Sequence, residues 1–360
     1  MQTPIRVVVV DDSAIMRRAI TAMLARDPEI TVVGEASDGR EAITLVQRLR
    51  PDVVTMDVWM PVLDGLATTE QLMAFCPTPI LVLTASLVGK DVDLTFKMLG
   101  AGALDVIEKP RGTDPQALAR AADDLVRRVR LLARVRVVTH LRGRRRAAED
   151  ESRPLPRTGP LNLPVTTPRV EVPLVVIGAS TGGPRVVYQI LSELPPDLPA
   201  AVIVVQHIAV GFGSGMAEWL ASTCAMPVQL ARAGTLLAPA QVLVAPDGQD
   251  LSVTRQRTVR LANEPHTQSR PSVDVAMRSA AASGAPCVAV LLTGMGRDGA
   301  EGMLAVRRAG GYTIAQDEAS CAIFGMPRAA IEAQAVDAVL APTQIAHRII
   351  ERVARYVLAS

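Results

Sequence analysis

The segment LVVIGASTGGP, Leu174–Pro184, is an apolar run that breaks into a glycine-rich turn around one serine and one threonine. An apolar run bounded by glycines predicts a buried strand, and a proline is tolerated in the first turn of a following helix. The segment is therefore predicted to form a strand–turn–helix unit of a parallel α/β sheet. Such turns usually bind a phosphate, so the hydroxyl of Ser180 needs an explanation of its own.

The alternation of apolar strands and amphipathic helices runs through the chain in two blocks. The predicted strands of the first block are Ile5–Val10, Ile30–Glu35, Val53–Met56, Ile80–Leu83 and Ala103–Ile107. Those of the second block are Leu174–Ile177, Ala201–Val205, Val242–Ala245 and Val288–Leu292, followed by a final helix over Thr343–Leu358. A shorter pair of runs, Leu251–Thr254 and Val259–Ala262, is predicted to be a hairpin inserted in the larger sheet.

An arginine-rich and then proline-rich stretch separates the two blocks. Six arginines fall between residues 134 and 146 without an acid, and prolines follow up to Pro173. This is the composition of a flexible linker. We therefore expect an α/β protein with two doubly wound parallel-sheet domains, residues 1–125 and 173–360, joined by a linker over residues 126–172.

Composition excludes several classes of protein. The chain has a net charge of +2 and only 2% aromatic residues, so it offers neither a basic surface nor stacking platforms for nucleic acid. No apolar stretch reaches the roughly 18–20 residues of a membrane span. No signal peptide is predicted, and the four cysteines are scattered. We expect a cytoplasmic protein with reduced thiols and without direct membrane insertion.

Five polar residues follow predicted strands of the first block and are expected to meet at one sheet edge. They are three acids, a hydroxyl and an ammonium, namely Asp11, Asp12, Asp57, Thr84 and Lys109. Carboxylates at such an edge can hold Mg²⁺, and one of them can accept a phosphoryl group that the hydroxyl and the ammonium then contact. Each of these residues alone is common at a strand end or on a surface. All five at strand ends, in order along the chain, favour a phosphoryl-accepting site. Lys109–Pro110 is a candidate cis bond.

This set resembles the receiver domain of two-component response regulators, over residues 1 to about 125. The matching stretches are VVVVDDS, DVWMPVLDG, LTAS and GALDVIEKP. The resemblance implies a flavodoxin-like fold and a histidine kinase as phosphodonor. It makes Asp57 the phosphoacceptor, and it gives Mg²⁺ binding to Asp11 and Asp12 beside Asp57, and phosphoryl contacts to Thr84 and Lys109. Receivers usually have an aromatic switch residue where Val106 stands, and Trp59 is unusually bulky; we expect Trp59 to shield the acyl phosphate from water.

Three interpretations compete for the turn IGASTGGP. A nucleotide P-loop needs a lysine, and no lysine follows Lys109. A dinucleotide fingerprint needs a glycine where Ser180 stands, and the short-chain dehydrogenase variant needs a lysine as well. The remaining interpretation makes Ser180 a nucleophile at a helix N-terminus, where backbone N–H groups can hold an oxyanion. It requires a base and an acid at the same sheet edge.

His207 and Asp298 are the expected base and acid. His207 directly follows the strand AVIVVQ, and Asp298 lies in a glycine-rich loop after the strand Val288–Leu292. Both positions belong to the carboxyl edge of the predicted sheet. His266 and His347 are the alternative bases, but neither follows a strand.

The second block resembles the catalytic domain of the chemotaxis receptor methylesterases, over about residues 173–358. The matching motifs are IGASTGGP, VVQHI…GF, PSVDVAM, LLTGMGRDGAEGM and AQDEASCAIFGMPRAAI. The resemblance implies a Rossmann-like serine esterase that needs no cofactor, hydrolyses glutamate γ-methyl esters on chemoreceptors and deamidates receptor glutamines. It gives Ser180 the role of nucleophile, His207 that of general base and Asp298 that of orienting His207. From position alone, the N–H groups of Thr181 and Met295 are expected to hold the oxyanion.

Two questions stay open at this stage. A response regulator with a non-catalytic binding module would keep Asp57 but would not need Ser180, whereas a DNA-binding regulator is disfavoured because no basic helix-turn-helix pattern follows the receiver. The joining of the domains also needs a reason. We expect the receiver to hinder the esterase site until it is phosphorylated.

Overall fold

The computed structural model describes residues 3–85, 90–110, 112, 114–135, 137, 172–263 and 269–359. Most of the predicted linker, together with His266, lies outside the described residues. In the part of the chain described, no helix has both the length and the apolar character needed to cross a membrane.

The first domain is a parallel sheet covered by helices on both faces. Its described strands are β1 Ile5–Val10, β2 Ile30–Ala36, β3 Val53–Asp57, β4 Ile80–Thr84 and β5 Asp105–Glu108. Its described helices are α1 Ala14–Leu24, α2 Gly39–Leu49, α3 Gly65–Phe75, α4 Lys90–Ala101 and α5 Pro115–Leu132. The strand order is β2-β1-β3-β4-β5 with every pair parallel, which confirms the predicted doubly wound class. Lys109–Pro110 is not cis; the cis bond of the described residues precedes Pro271.

Helix α5 continues past residue 125, where the sequence predicted the first domain to end. Leu125, Val129 and Leu132 recur at helical spacing and are buried against the sheet beside Val7 and Val9. Helix α5 therefore runs past the expected boundary at 125, and its last turns complete its apolar face.

The second domain is also built on a parallel sheet. Its strands within the described residues are β6 Leu174–Ala179, β7 Ala201–Gln206, β8 Val228–Leu230, β9 Gln241–Val244, β10 Asp250–Val253, β11 Val259–Ala262, β12 Cys287–Leu291, β13 Tyr312–Gln316 and β14 Ala338–Leu340. Its helices there are α6 Gly183–Glu193, α7 Gly213–Ala221, α8 Val273–Ala282, α9 Ala300–Arg308, α10 Met326–Glu332 and α11 Pro342–Leu358. Seven of these strands form one sheet in the order β14-β13-β12-β6-β7-β9-β8.

Two features of this domain differ from the sequence prediction. The hairpin of β10 and β11 is a separate two-stranded antiparallel sheet rather than an insertion in the large one. Strands β8, β13 and β14 were not predicted. The first and last of these are three-residue strands without a fully buried residue, and β13 buries the polar Thr313 and Gln316 among its apolar residues. Strands β8 and β13 are interrupted by polar residues, and β14 is only three residues long, so none of the three presents a long apolar run.

The two domains pack against each other through α4, which contacts α6 and α7. Phe96 of α4 stacks on Trp219 at a ring distance of 5.5 Å, and Trp219 stacks in turn on Tyr188 at 4.7 Å. Val92 of α4 packs directly over Gly215 of α7, where an added Cβ would lie 1.8 Å from the Val92 Cγ1. Apolar residues of both domains thus form one continuous cluster.

Candidate functional sites

The structure brings three of the five polar residues of the first domain into direct contact. Asp11 follows β1, Asp57 ends β3 and Lys109 follows β5. The Lys109 Nζ lies 2.6 Å from Asp11 Oδ2 and 2.7 Å from Asp57 Oδ1, and all three side chains are buried. Thr84 ends β4 between β3 and β5 and is also buried. The residues meet because the strands are parallel and neighbouring, so their carboxyl ends share one edge.

The acids of this site suit a hard divalent cation. Ligand oxygens of Asp11, Asp12 and Asp57 lie within 4.8 Å of one another. Burial raises the pKa of Asp57 to about 6, and the hydrogen bond from Lys109 acts in the opposite direction. Clustered carboxylate oxygens are the donor set that Mg²⁺ prefers, so the residues present fit this ion.

The two unusual residues near the phosphoacceptor lie in different environments. Val106 is buried in the core, whereas Trp59 is about half exposed, at 49%. Shielding of an acyl phosphate by Trp59 stays a prediction.

In the second domain, Ser180 lies in the turn between β6 and α6. Its N–H donates to the carbonyl of Thr293 at 3.0 Å, in the loop that follows β12. Gly294 of that loop approaches so closely that an added Cβ would lie 2.6 Å from the Cβ of Ser180. The β12 loop therefore fixes Ser180 at the carboxyl edge of the sheet.

His207 and Asp298 form a hydrogen-bonded pair at this edge. The His207 Nε2 lies 2.7 Å from Asp298 Oδ2. Asp298 lies at the N-terminus of α8, where it accepts the N–H groups of Val273 at 2.8 Å and Asp274 at 3.0 Å and the hydroxyl of Ser272 at 3.0 Å. Burial raises the pKa of Asp298, but the hydrogen bond and charge of His207 and these backbone donors outweigh burial and lower it. Asp298 is therefore held ionised beside the imidazole.

Ser180 and His207 follow strand ends that are paired with each other. The β6–β7 register sets Ala179 opposite Gln206, and the His207 N–H donates to the Ala179 carbonyl at 2.9 Å. Within the described residues, the Ser180 hydroxyl makes no hydrogen bond to His207. Since Asp298 contacts Nε2, the imidazole nitrogen left for proton transfer is Nδ1.

The structure also shows residues around this site that sequence reasoning did not assign. Ser272 caps α8 and binds Asp298; the motif PSVDVAM contained the serine-before-helix pattern of an N-cap. The Thr293 hydroxyl donates to the carbonyl of Thr181 at 3.0 Å and accepts the N–H of Ile323 at 2.9 Å. Gln206 donates to two backbone carbonyls of the site. No sequence pattern predicts the last two, because their partners are distant in the chain or are backbone atoms.

The first domain contacts the turn that carries Ser180. The N–H of Gly182 donates to the carbonyl of Leu104 at 3.0 Å, and the hydroxyl of Thr181 donates to Asp105 Oδ2 at 3.4 Å. Asp105 is also paired with Arg128 of α5. Residues of the first domain thus form hydrogen bonds with Thr181 and Gly182, directly beside the candidate nucleophile. Met295, the other expected oxyanion donor, lies on the β12 loop and is 45% exposed.

Two protein families match the chain, one for each domain. The CheB methylesterase family matches residues 175–349, and the response regulator receiver domain family matches residues 7–122.

Whole-length relatives match both domains together. The chain is 47% identical over 348 residues to protein-glutamate methylesterase/protein-glutamine glutaminase 3 of Anaeromyxobacter dehalogenans, covering 96% of this chain and 98% of that one. It is 41% identical over 369 residues to the protein-glutamate methylesterase/protein-glutamine glutaminase of Symbiobacterium thermophilum, covering 97% of each.

Two solved structures from Thermotoga maritima match the separate domains. The CheB methylesterase catalytic domain is 38% identical and covers 49% of this chain and 97% of its own, with a TM-score of 0.47. The response regulator domain of CheB is 35% identical and covers 37% of this chain and 98% of its own, with a TM-score of 0.34.

Proposed function

Because this chain belongs to the family of protein-glutamate methylesterases/protein-glutamine glutaminases, with a receiver domain ahead of a CheB methylesterase domain, we propose that its own residues hydrolyse the γ-methyl esters of chemoreceptor glutamates. The same site would deamidate receptor glutamines, and phosphorylation of the receiver would regulate it. Its partners would be a chemotaxis histidine kinase and methyl-accepting chemoreceptors, which it would meet in the cytoplasm. The chemistry at the esterase site needs no cofactor.

The proposed reaction is a two-step acyl transfer at Ser180. The serine oxygen attacks the ester carbonyl while His207 Nδ1 takes the hydroxyl proton, which then passes to the departing methoxide to give methanol. Water, deprotonated by the same nitrogen, attacks the glutamyl-serine ester and releases the carboxylate and the free serine. The N–H groups of Thr181 and Met295 are the proposed oxyanion donors, and Asp298 stabilises the imidazolium that forms in each step.

The His207–Asp298 hydrogen bond at the strand end beside Ser180 carries this proposal. The carboxylate is largely buried, ionised and held by the N-terminus of α8, so it can fix the ring and stabilise the charge that develops on it. A non-catalytic binding module would have no use for a histidine held by a carboxylate beside a serine at the N-terminus of α6.

A serine-reactive fluorophosphonate tests the nucleophile directly. We expect it to label Ser180 and to stop methanol release from membranes that contain methylated receptors. Ser180→Ala should lose both the label and the activity with an unchanged melting temperature, because the serine is small and lies in a turn. Ser192→Ala is the matched control, since Ser192 lies on α6 and its hydroxyl donates to the Gln189 carbonyl of the same helix. Activity of Ser180→Ala within about tenfold of the wild type would contradict the assignment.

For the receiver we propose Asp57 as the phosphoacceptor. Asp11, Asp12 and Asp57 would hold Mg²⁺, and Thr84 and Lys109 would contact the phosphoryl oxygens. Bound Mg²⁺ would neutralise the negative charge of the incoming phosphoryl group. Lys109, already paired with Asp57, would keep one positive charge beside that carboxylate.

Acetyl phosphate with Mg²⁺ tests this assignment. We expect an acid-stable, base-labile label on Asp57 that Asp57→Asn abolishes. Asp93→Asn, which removes an exposed carboxylate paired with Lys97 on α4, should keep the label. An undiminished label on Asp57→Asn would place the phosphoacceptor elsewhere.

A further inference from the structure

Gln206 is a buried glutamine at the end of β7 that the proposed reaction does not use. Its side chain is 3% exposed. The Nε2 donates to the carbonyl of Ser180 at 2.7 Å and to the carbonyl of His207 at 2.9 Å. A single amide therefore bridges the backbone of the proposed nucleophile and the backbone of the proposed base.

The orientation of this amide follows from its neighbours. Both contacts are carbonyl oxygens, which only an N–H group can satisfy, so Nε2 must face them and Oε1 must point away. Oε1 points toward Gly183, where an added Cβ would lie 2.5 Å from it. The glycine at the start of α6 thus leaves the space that the Gln206 side chain occupies.

The bridge also fixes the peptide that links Ser180 to Thr181. The Ser180 carbonyl accepts two hydrogen bonds, one from Gln206 and one from the Gly183 N–H at 2.8 Å. In a trans peptide the carbonyl and the next N–H point in opposite directions. With the carbonyl held inward, the Thr181 N–H is directed away from Gln206, and it donates to no backbone or side-chain acceptor in the described part of the chain.

We propose that Gln206 is a positioning residue, which orients the Thr181 N–H for the oxyanion and holds the His207 backbone at a fixed distance from Ser180. The inference rests on the proposed function, because it assigns a partner to that nucleophile, base and oxyanion donor. A neutral amide is required here. It has two N–H donors for two carbonyls, whereas a carboxylate would repel both and a thioether would donate to neither.

Two substitutions in the full-length, acetyl-phosphate-treated chain test the proposal with p-nitrophenyl acetate as the ester. Gln206→Met should lower kcat by about 10²-fold and change KM less than about threefold, as expected when an oxyanion donor loses its orientation. Gln206→Glu should lose activity relative to the wild type as pH rises. Its protonated carboxyl can donate to one carbonyl, so the ratio of variant to wild-type kcat should fall as pH rises through the pKa of that carboxyl. Taking the ratio at each pH cancels any pH dependence of phosphorylation.

Gln241→Glu is the control for placing a carboxyl at an end of the same sheet. Gln241 is half-buried at the start of β9, the edge opposite to the site, and its Oε1 accepts the Ala238 N–H at 3.2 Å. Its kcat ratio should stay flat with pH. A falling ratio shared by both Glu variants, or Gln206 variants with kcat within about threefold of the wild type, would overturn the inference.

Fluorophosphonate labelling separates failure of this inference from failure of the proposed function. A wild-type chain that is neither labelled nor active would overturn both. A labelled and active wild type with unaffected Gln206 variants would overturn the positioning role alone. Restored activity of Gln206→Glu on returning to acid, with the same circular dichroism spectrum at both pH values, supports positioning and rules out unfolding as the cause.

Discussion

At the residue scale, the environment of Asp298 explains how a single carboxylate can hold the histidine. An anion is stabilised at a helix N-terminus, and Asp298 accepts two N–H groups of the first turn of α8 as well as the hydroxyl that caps it. These donors keep the carboxylate charged although it is largely buried, and they leave one oxygen aimed at His207 Nε2. The imidazole is thereby fixed in one tautomer.

Replacing Asp298 with asparagine should lower kcat by about 10³–10⁴-fold, because the amide removes the charge and favours the wrong tautomer of His207. Receptor demethylation by the phosphorylated chain measures the loss. Asp274→Asn is the control. It changes a neighbouring carboxyl that accepts the Gly302 N–H but does not touch His207, and it leaves the backbone donor to Asp298 in place. Equal losses in the two variants would count against a special role for Asp298.

Cys321 gives a pH-dependent prediction beside the same site. Burial raises the pKa of Cys321 to about 12, and the Asp317 carboxylate acts in the same direction. A raised pKa keeps the thiol protonated near neutral pH, so the reactive thiolate is scarce there and increases as pH rises. At pH 7.5 we expect iodoacetamide to alkylate Cys321 at least about 10²-fold more slowly than in the guanidinium-unfolded chain, whose thiols have the ordinary pKa of about 8.5. Mass spectrometry of the alkylated peptide measures both rates; equal rates would show that the thiol is not shielded.

At the scale of elements, the packing of α4 on α7 depends on one missing side chain. Gly215 lets Val92 and Phe96 approach the backbone of α7, at the same interface where Leu104 and Asp105 reach the turn after Ser180. A side chain at position 215 would push α4 away from α7, and it would thereby move Leu104 and Asp105 away from the turn that carries Ser180. This contact is therefore a point at which docking can be weakened without altering either site.

Gly215→Ala should raise the activity of the unphosphorylated chain by about tenfold, since a docking penalty of about 1.4 kcal/mol changes a small undocked population by that factor. Steady-state demethylation without phosphodonor measures the effect. Adding Val92→Ala removes the Cγ1 that clashes and leaves the Cβ at 3.2 Å, so the double variant should return toward the low activity of the wild type. Unphosphorylated activity that does not change in the single variant would argue that docking does not limit the enzyme.

At the scale of the whole molecule, the receiver packs against the esterase domain through α4 and through the start of β5, which lies beside the turn that carries Ser180. The carbonyl of Leu104 accepts a hydrogen bond from the Gly182 N–H at the start of α6, which is the end of the helix where an oxyanion would bind. Phosphorylation changes charge and loop order on the receiver and can shift the balance between docked and undocked states. This arrangement supports the expectation that the receiver inhibits the esterase.

A fragment from about Pro173 onward should therefore be more active than the unphosphorylated full-length chain. Its sheet and the helices that cover it form a core of their own, beyond the cluster shared with the receiver. Circular dichroism would establish that the fragment is folded, and demethylation at equal enzyme concentration would compare the rates. A folded fragment no faster than the whole chain would favour a receiver that contributes positively to catalysis or receptor docking.

The sequence by itself determined the two parallel sheets and the strand ends at which the functional residues lie. A parallel strand that is buried on both faces must be apolar at consecutive positions, as in Leu174–Ile177. Such a run can be recognised from neighbouring residues in the sequence alone. The strand-end positions of Asp57, Ser180 and His207 followed from the same runs. Short or partly polar strands, such as β13 and β14, were missed because their place in the sheet depends on neighbours and not on their own pattern.

Only the tertiary structure decided the contacts between groups that are distant in the chain or belong to the backbone. The Nε2 contact of His207, the two carbonyls bridged by Gln206 and the Leu104 carbonyl beside Ser180 are of this kind. All residues except proline carry the same backbone N–H and C=O groups, so residue type does not predict which of these groups will form hydrogen bonds. Their partners are fixed only when the sheets have formed and the domains have packed, because geometry rather than composition selects them.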